Sequence, residues 1–529
     1  MNIYFIGMCI SMVVYLVIGF IVSKRVKTKS DYYVAGRNAP MLLIAGSLIA
    51  SYTSTGMFMG DAAQAYDGAF TSIIIFAGMQ SAGYIIGAVF FGRYLRRSGC
   101  MTIPEFFGKR FNSKAIRKLA AITAIVMMSV YLLSVIQGIG TLMTAVTGVN
   151  YTVCVIIALV VFTIVTIISG SRGVLITDTL MASIFTVALL VGIVFIADRA
   201  GGLYPAISSL VNNATTADIL SWGGRAGALY DTGTENVVWG LIYGVVWMSV
   251  CAVGPWQSSR YMMAKDEHTI IRSTPVSAIG VFVLELVVSL AAVLVNTVNP
   301  GMSDSSQVMI WASMNMMPTI VGVVLLTGVL AAGISSATTF LSLIGASFAN
   351  DIFKVKDDQK SIRVGKAAMA CVALVVLVLA VFNPPEIFWI MFLGGAIVAS
   401  SWMPVAFGCI FSKRLTKAGA FAGMLAGFLG CFVMKLISSV GGVSLPVYLD
   451  PSLVGMVCCI VAMIIATVFT KVTEEEKIQR EKLFITPESE LDKKEIKKTL
   501  RWSRISILIG AAAAVLMLII WAIPYLIAK

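Results

Sequence analysis

Charge is what this chain of 529 residues has least of: only 12% is Asp, Glu, Lys or Arg, against about a quarter in a soluble globular protein. There is one histidine, His268, so neither a Ser–His–Asp triad nor a histidine-built metal hydrolase centre can be assembled. The nine cysteines are odd in number and lie mostly in apolar stretches (Cys154, Cys251, Cys371, Cys458, Cys459), without metal-ligand spacing; they argue against a disulfide framework and a metal cluster. Segments of about ten residues with alternating polarity do not recur, which excludes a membrane β-barrel. What is there is apolar: 58% hydrophobic residues, mean hydropathy +0.92, in long blocks from end to end. Each backbone amide in hydrocarbon must be satisfied within its own segment, so these blocks read as helices. The expectation is an all-α polytopic membrane protein that is not an enzyme.

At about 20 residues per crossing, fourteen spans are expected: 3–23, 41–67, 71–92, 119–147, 151–169, 174–197, 236–258, 275–296, 319–347, 367–382, 386–411, 418–440, 452–470 and 505–527. The net charge of +13 is not spread evenly. Thirty-five of the 39 Lys and Arg fall in alternate loops (24–40, 93–118, 172, 259–273, 350–366, 412–417 and 471–504). That bias assigns those loops to the cytoplasm of a plasma membrane, both termini outside, and makes the anionic inner leaflet the electrostatic partner rather than nucleic acid. Lys24, Arg25, Lys27 and Lys29 follow the first apolar block instead of preceding it, so it reads as a true span and not a signal peptide. The charged stretch 471–504 is too short for a kinase domain and reads as solvated linker.

Two spans carry helix-breaking sequence at their centres. The second holds Ser51-Tyr52-Thr53-Ser54-Thr55-Gly56 at the depth where a lipid-facing helix should be most apolar. Such a stretch unwinds only where it faces protein or a water-filled cavity, and a cation is one partner for the freed carbonyls. A continuous helix with hydroxyls bonded back to the preceding turn is the other reading. Five spans later, the seventh carries Gly244, Gly254 and Pro255. Interrupted helices at corresponding positions of two halves point to a midplane site in an inverted-repeat transporter, and an offset of five inverts the second half. In the ninth span, Ala332, Ser335 and Ser336 share one face, and Ser335, Thr338 and Thr339 repeat the spacing. Hydroxyls and unwound carbonyls suit a hard cation such as sodium, although small residues also serve close helix packing. Two intramembrane acids stand out. Asp178 lies near the cytoplasmic edge of the sixth span, where water can still hydrate it, and Glu285 lies mid-span in the eighth, where it must be paired or protonated.

The stretches KSDYYVAGRNAP, TIPEFFGKRF, GPWQSSRYMMAKDE and LAAGISSATTFLSLIGASFANDIF resemble the recurrent motifs of the sodium:solute symporter family, in order over residues 1–415. The resemblance implies a LeuT-type 5+5 inverted repeat with about fourteen helices. Residues 1–40 would form a first peripheral span and loop, 41–200 the first five-helix repeat, 201–417 its inverted partner, and 418–529 peripheral spans around the charged segment 471–504. It implies a main sodium site of Ala50 and Thr53 carbonyls facing Ala332, Ser335 and Ser336, and a possible second sodium at Asp178, Ser335, Thr338 and Thr339. Met57, Phe58, Gln64, Trp247, Cys251 and Trp256 are the candidate solute contacts; Tyr52 stands where proline-type members carry an aspartate. The expected function is sodium-coupled import of a small organic solute, a carboxylate or amino acid, by alternating access. It needs no organic cofactor and no protein partner. A proton-coupled carrier on the same fold and a transporter-like sensor are the alternatives.

Overall fold

The computed structural model describes residues 2–23, 28–382, 386–439 and 442–529, with backbone alone at 15–16, 19, 22–23 and 168–172. Lys24, Arg25 and Lys27 of the first basic cluster therefore lie outside the described residues, as does the Arg172 side chain. The described chain is helical throughout, with one isolated β-bridge between Ala39 and Ala264. Eleven helices among the described residues are long and apolar enough to cross a membrane. Three further apolar helical stretches are shorter: Ile3–Val14, Met41–Tyr52 and Tyr151–Ile167. Apolar side chains such as Val187, Val194, Leu374, Ile507 and Leu508 are more than 60% exposed, a belt that water would penalise and lipid would not.

Helix ends follow local chemistry. Thr102, Ser113, Thr232 and Asp266 accept an amide of the first turn through their side chains, and Thr232 with Glu235 closes a capping box. Gly148 ends the helix Lys114–Thr147 at φ 70°, a conformation that costs a side chain dearly. Where two helices run closest, glycine removes the obstacle. A Cβ on Gly87 would stand 2.6 Å from Cα of Ala252 and one on Gly83 would stand 2.5 Å from the Met248 carbonyl, so Phe70–Gly87 lies directly against Gly233–Val253.

Four departures from the sequence reading are informative. The fifth and sixth apolar blocks, expected as separate spans, are joined by helical backbone in one run, Tyr151–Arg199. Forty-nine residues at about 1.5 Å each exceed twice the thickness of a bilayer's hydrocarbon core, so the run cannot cross as one straight rod. The second and third blocks likewise continue into one another, turning at Gly68 (φ 114°). The segment 471–504 is not free linker. It forms the helix Glu474–Lys482 and the start of Lys493–Met517, and it is clamped to the basic loops: Arg110 donates to the Glu476 carbonyl (2.9 Å), Arg97 to that of Leu483 (3.1 Å), and Arg272 to the Glu495 carboxylate (2.6 Å). His268, assigned to a loop, opens the helix Glu267–Val295 and bonds to Thr499 (3.0 Å) and the Glu490 carbonyl (3.1 Å).

Candidate sodium and solute site

The helix Met41–Tyr52 ends where Thr53 adopts φ −67°, ψ 59°, far from helical ψ. The Ser54 amide turns back to the Tyr52 carbonyl (2.6 Å), and the Gly56 amide to the Ser54 hydroxyl (3.2 Å). Ala50 thereby loses the amide that an unbroken helix would supply to its carbonyl, and keeps only the Thr53 hydroxyl at 3.5 Å. The chain resumes in wider, π-type turns over Gly56–Asp61. The second break is made by Gly254 (φ −57°, ψ 138°) and Pro255, which starts the short helix Pro255–Met263. Ser51 donates to the Gln257 side chain (3.0 Å), tying the two interruptions together.

The ninth span, Thr319–Ala346, closes on the first break. Gly333 sits at this seam, where a Cβ would be in ordinary contact with Cγ2 of Thr55 (3.4 Å) but would clash with Cδ1 of Ile139 (2.6 Å) on the helix Lys114–Thr147. Around this seam the hydroxyls of Thr55 and Ser336 are buried with no hydrogen-bond partner. A buried hydroxyl without a partner costs about 1–3 kcal/mol, so each of these groups calls for an explanation, and a bound ligand is one. Neutral oxygens of this kind fit an alkali cation.

The residues implied for a second sodium are gathered differently. Asp178 is fully buried, not hydrated at an interface as its position in the sequence suggested. It accepts from Ser47, from Ser335 and from Arg260 Nη2 at 3.1 Å. The same Arg260 nitrogen donates to Thr339 Oγ1 at 3.0 Å, and its Nε to Ser47 at 3.0 Å. Thr338 turns away to the Ser335 carbonyl (2.9 Å). Arg260 is 1% exposed, so a guanidinium counted in the sequence among cytoplasmic-loop charges is in fact a structural cation inside the bundle.

A second polar cluster lies beside the first break. Tyr52 donates to Glu285 at 2.7 Å, Ser289 to the same carboxylate at 3.3 Å, and Tyr243 to Asp61 at 2.7 Å. The Trp247 ring meets Tyr52 (5.9 Å), Tyr243 (6.2 Å) and Phe76 (6.4 Å), and its indole N–H has no partner. Gln80, one turn from Phe76 and fully buried, has both amide atoms unpartnered. Glu285 is thus bonded and bundle-facing, as its mid-span position demands. Asp61, Gln80, Tyr131 and Tyr243 were missed in the sequence. Asp61 was legible as an acid six residues beyond the Thr-Gly break; nothing in the sequence singles out Gln80 or the tyrosines.

The six solute candidates separate. Trp247 and Trp256 meet across Tyr131, at 6.0 and 5.2 Å. Cys251 lies against Gly83 of the neighbouring helix, and Met57 is buried in the core. Phe58 packs on Phe185 at 6.2 Å. Gln64 lines a cavity of about 610 Å³ with Thr141, Thr144, Asp304, Glu386 and Phe388, at the end of the bundle whose loops hold few Lys and Arg. Phe388, also in its lining, meets the Tyr243 ring at 5.3 Å.

Comparison with known proteins bears on the family and the fold. The model of the sodium:solute symporter family matches residues 32–427. A sodium/pantothenate symporter of Haemophilus influenzae is 25% identical over 452 residues, 81% of this chain and 90% of that protein. The uncharacterised symporter YwcA of Bacillus subtilis is 25% identical over 80% of this chain and 84% of its own length. Among solved structures, a substrate-bound, outward-open sodium-coupled sialic acid symporter superposes with a TM-score of 0.72 at 18% identity, over 90% of this chain and 99% of that one. A nucleobase–cation symporter in a closed conformation with bromovinylhydantoin bound gives 0.52 at 12% identity, over 85% and 98%. These likenesses give the LeuT-type fold. The chain belongs to the sodium:solute symporter family and is a sodium-coupled symporter of a small organic solute.

Proposed function

We propose that the protein imports its solute across a plasma membrane with one sodium ion per cycle, performs no chemistry on it and uses no organic cofactor. In this reading both termini are extracytoplasmic, residues 41–200 and 201–417 are the two inverted repeats, and 1–40 and 418–529 brace them. The sodium is held by the Ala50, Thr53 and Ala332 carbonyls and the Ser335 and Ser336 hydroxyls. What supports this is the break that frees the Ala50 carbonyl, together with the Ser336 hydroxyl, which is buried and without a partner among the described residues.

The residues considered for a second sodium, Asp178, Ser335, Thr338 and Thr339, support a different proposal. A guanidinium already neutralises Asp178 and takes the Thr339 hydroxyl. A sodium ion there would face a fixed positive charge within a few ångströms, so a single ion is the stoichiometry we favour. One ion moving down 100 mV supplies about 2.3 kcal/mol and a tenfold gradient about 1.4. Together they sustain a gradient of roughly 500-fold for an uncharged solute.

Coupling follows if sodium pins the unwound segment 53–56 against Ala332–Ser336 and so favours the solute-competent state. The 610 Å³ cavity is the entrance in this reading, and rocking of one repeat against the other opens the opposite end. The test is uptake into proteoliposomes of purified protein, with sodium replaced by potassium or by a proton gradient. Sodium-dependent accumulation is expected; equal uptake on a proton gradient alone would overturn the coupling.

A further inference from the structure

Every charged side chain lining the entrance cavity is an acid. Asp304 and Glu386 face it, and no Lys or Arg does. Two bases at that end of the molecule are set against acids of their own: Arg225 acts on Asp67, and Lys435 on Asp450. Phe388 meets the Tyr243 ring, and Tyr243 donates to Asp61; Asp61 and Glu285 are 2% and 0% exposed, and neither has an ion-pair partner among the described residues. Arg260, the one buried guanidinium near the breaks, is engaged with Asp178. Two carboxylates withdrawn from water without a cation are costly, at several kcal/mol each. A cation entering between them would favour their charged forms and be held by them, whereas an anion would find no opposite charge there.

The surroundings of the pair suit an organic cation better than a metal ion. Sodium needs several oxygens, and the sodium oxygens lie elsewhere, on residues 332–336 and the first break. Here the carboxylates are enclosed by rings: Phe76 and Tyr243 pack at 4.3 Å, and Trp247 meets both as well as Tyr52. Aromatic faces attract a weakly hydrated cation, most strongly where water is excluded. The unpartnered Trp247 indole N–H, on the ring that touches both tyrosines, and the bare Gln80 amide are polar groups with nothing yet to bind.

We infer that the solute carried by this protein bears a cationic nitrogen, received by Asp61 and Glu285 within the cage of Tyr52, Phe76, Tyr243 and Trp247. The inference rests on the symport reading above for the site's being the transport site. It sets this chain apart from a carrier of free carboxylic acids, since no basic side chain is present at the cluster to meet one.

The test uses the purified full-length protein in detergent. Thermal shift and tryptophan-fluorescence quenching are read with ethanolamine, putrescine and tetramethylammonium as cations, pantothenate, sialic acid and acetate as anions, and glucose as a neutral probe. Each is added in sodium and in potassium chloride. At least one cation is expected to raise the melting temperature and quench fluorescence, and to bind tenfold or more weakly to Asp61→Asn and Glu285→Gln. Size-exclusion profiles and circular dichroism establish that both variants fold; if either does not, Trp247→Phe, which removes the N–H and keeps the ring stack, takes its place. Binding of an anion, or of no cation, overturns the inference, as does a rise in sodium half-saturation in the two carboxylate variants as the sole effect. A cation that binds equally well in potassium supports the inference and removes the sodium coupling, so the two readings fail separately.

Discussion

Arg260 and Asp178 form a fully buried ion pair, Nη2 to Oδ2 at 3.1 Å, between the short helix after the second break and the sixth apolar block. The pair ties these two elements together, and it occupies the ground where a second cation would bind. For the unmodified protein, sodium dependence of uptake should give a Hill coefficient of one, and equilibrium ²²Na binding one ion per chain. Arg260→Met strands a buried carboxylate, a loss of about 3–5 kcal/mol. The melting temperature in potassium should fall, and sodium should restore part of it by entering beside Asp178. A wild-type coefficient near two would refute the arrangement.

Ser336 tests the main site more directly than Ser335, whose hydroxyl is already given to Asp178. The Ser336 hydroxyl has no protein partner to lose. Ser336→Ala should therefore leave stability in potassium unchanged or slightly higher. It should raise the sodium concentration for half-maximal uptake severalfold. Ser335→Ala should do both kinds of damage, because it also strips a donor from a buried carboxylate. A Ser336→Ala protein with wild-type sodium dependence would move the ion elsewhere.

The two interruptions were legible because each is written locally, in a Ser/Thr run ending at Gly56 and in the Gly254-Pro255 step. The share of the site built by distant pairing was not. Arg260 looks like a loop charge until the restarted helix carries it inward, and Asp61 meets Tyr243 across 182 positions of sequence. Charge counting told which loops share a side, but not that 471–504 would dock on three of them, since ion pairs between loops leave no periodic trace.

Glu285 separates sodium from proton coupling. Its carboxylate accepts from Tyr52 and Ser289. The two donors reach different oxygens, so a glutamine can keep the shorter bond, from Tyr52, through its carbonyl oxygen and gives up the one from Ser289, whereas it can never exchange a proton. If sodium drives transport, Glu285→Gln should keep sodium-dependent accumulation, measured as the maximal rate at saturating solute, within a few-fold of wild type even where solute affinity falls. A proton-coupled carrier would lose accumulation altogether. Glu285→Leu leaves Tyr52 and Ser289 without an acceptor and should lower the melting temperature, by about 1–3 kcal/mol of stability for each buried group stranded.

Gly87 reports on helix spacing. A methyl group there would meet both Cα and the carbonyl oxygen of Ala252, at 2.6 and 2.7 Å, and backbone cannot swing aside as a side chain does. Gly87→Ala should force Phe70–Gly87 away from Gly233–Val253 and destabilise by about 1–3 kcal/mol, seen as a lower melting temperature. Gly78, on the same helix, is the matched control: a methyl group added there would find no neighbour within 4 Å, and Gly78→Ala should be neutral or mildly stabilising.

The docked segment makes its own prediction, because its attachment depends on a few buried donors. Arg110 is 3% exposed and holds two carbonyls at once, Cys409 at 2.6 Å and Glu476 at 2.9 Å. Glu476 in turn caps its own helix and accepts the Lys417 amide at 2.7 Å. Removing the guanidinium frees both carbonyls and releases the helix Glu474–Lys482, whose Lys477, Arg480 and Lys482 are tryptic sites. Cleavage by trypsin needs local opening, so its rate follows the free energy of undocking. Arg110→Ala should speed cleavage between 477 and 482 by an order of magnitude or more. The Asn112→Ala exchange, which loses one exposed contact to Glu475, should change it little. Equal rates in both variants would mean that the segment is held by its apolar contacts, Leu483 above all, rather than by the arginine.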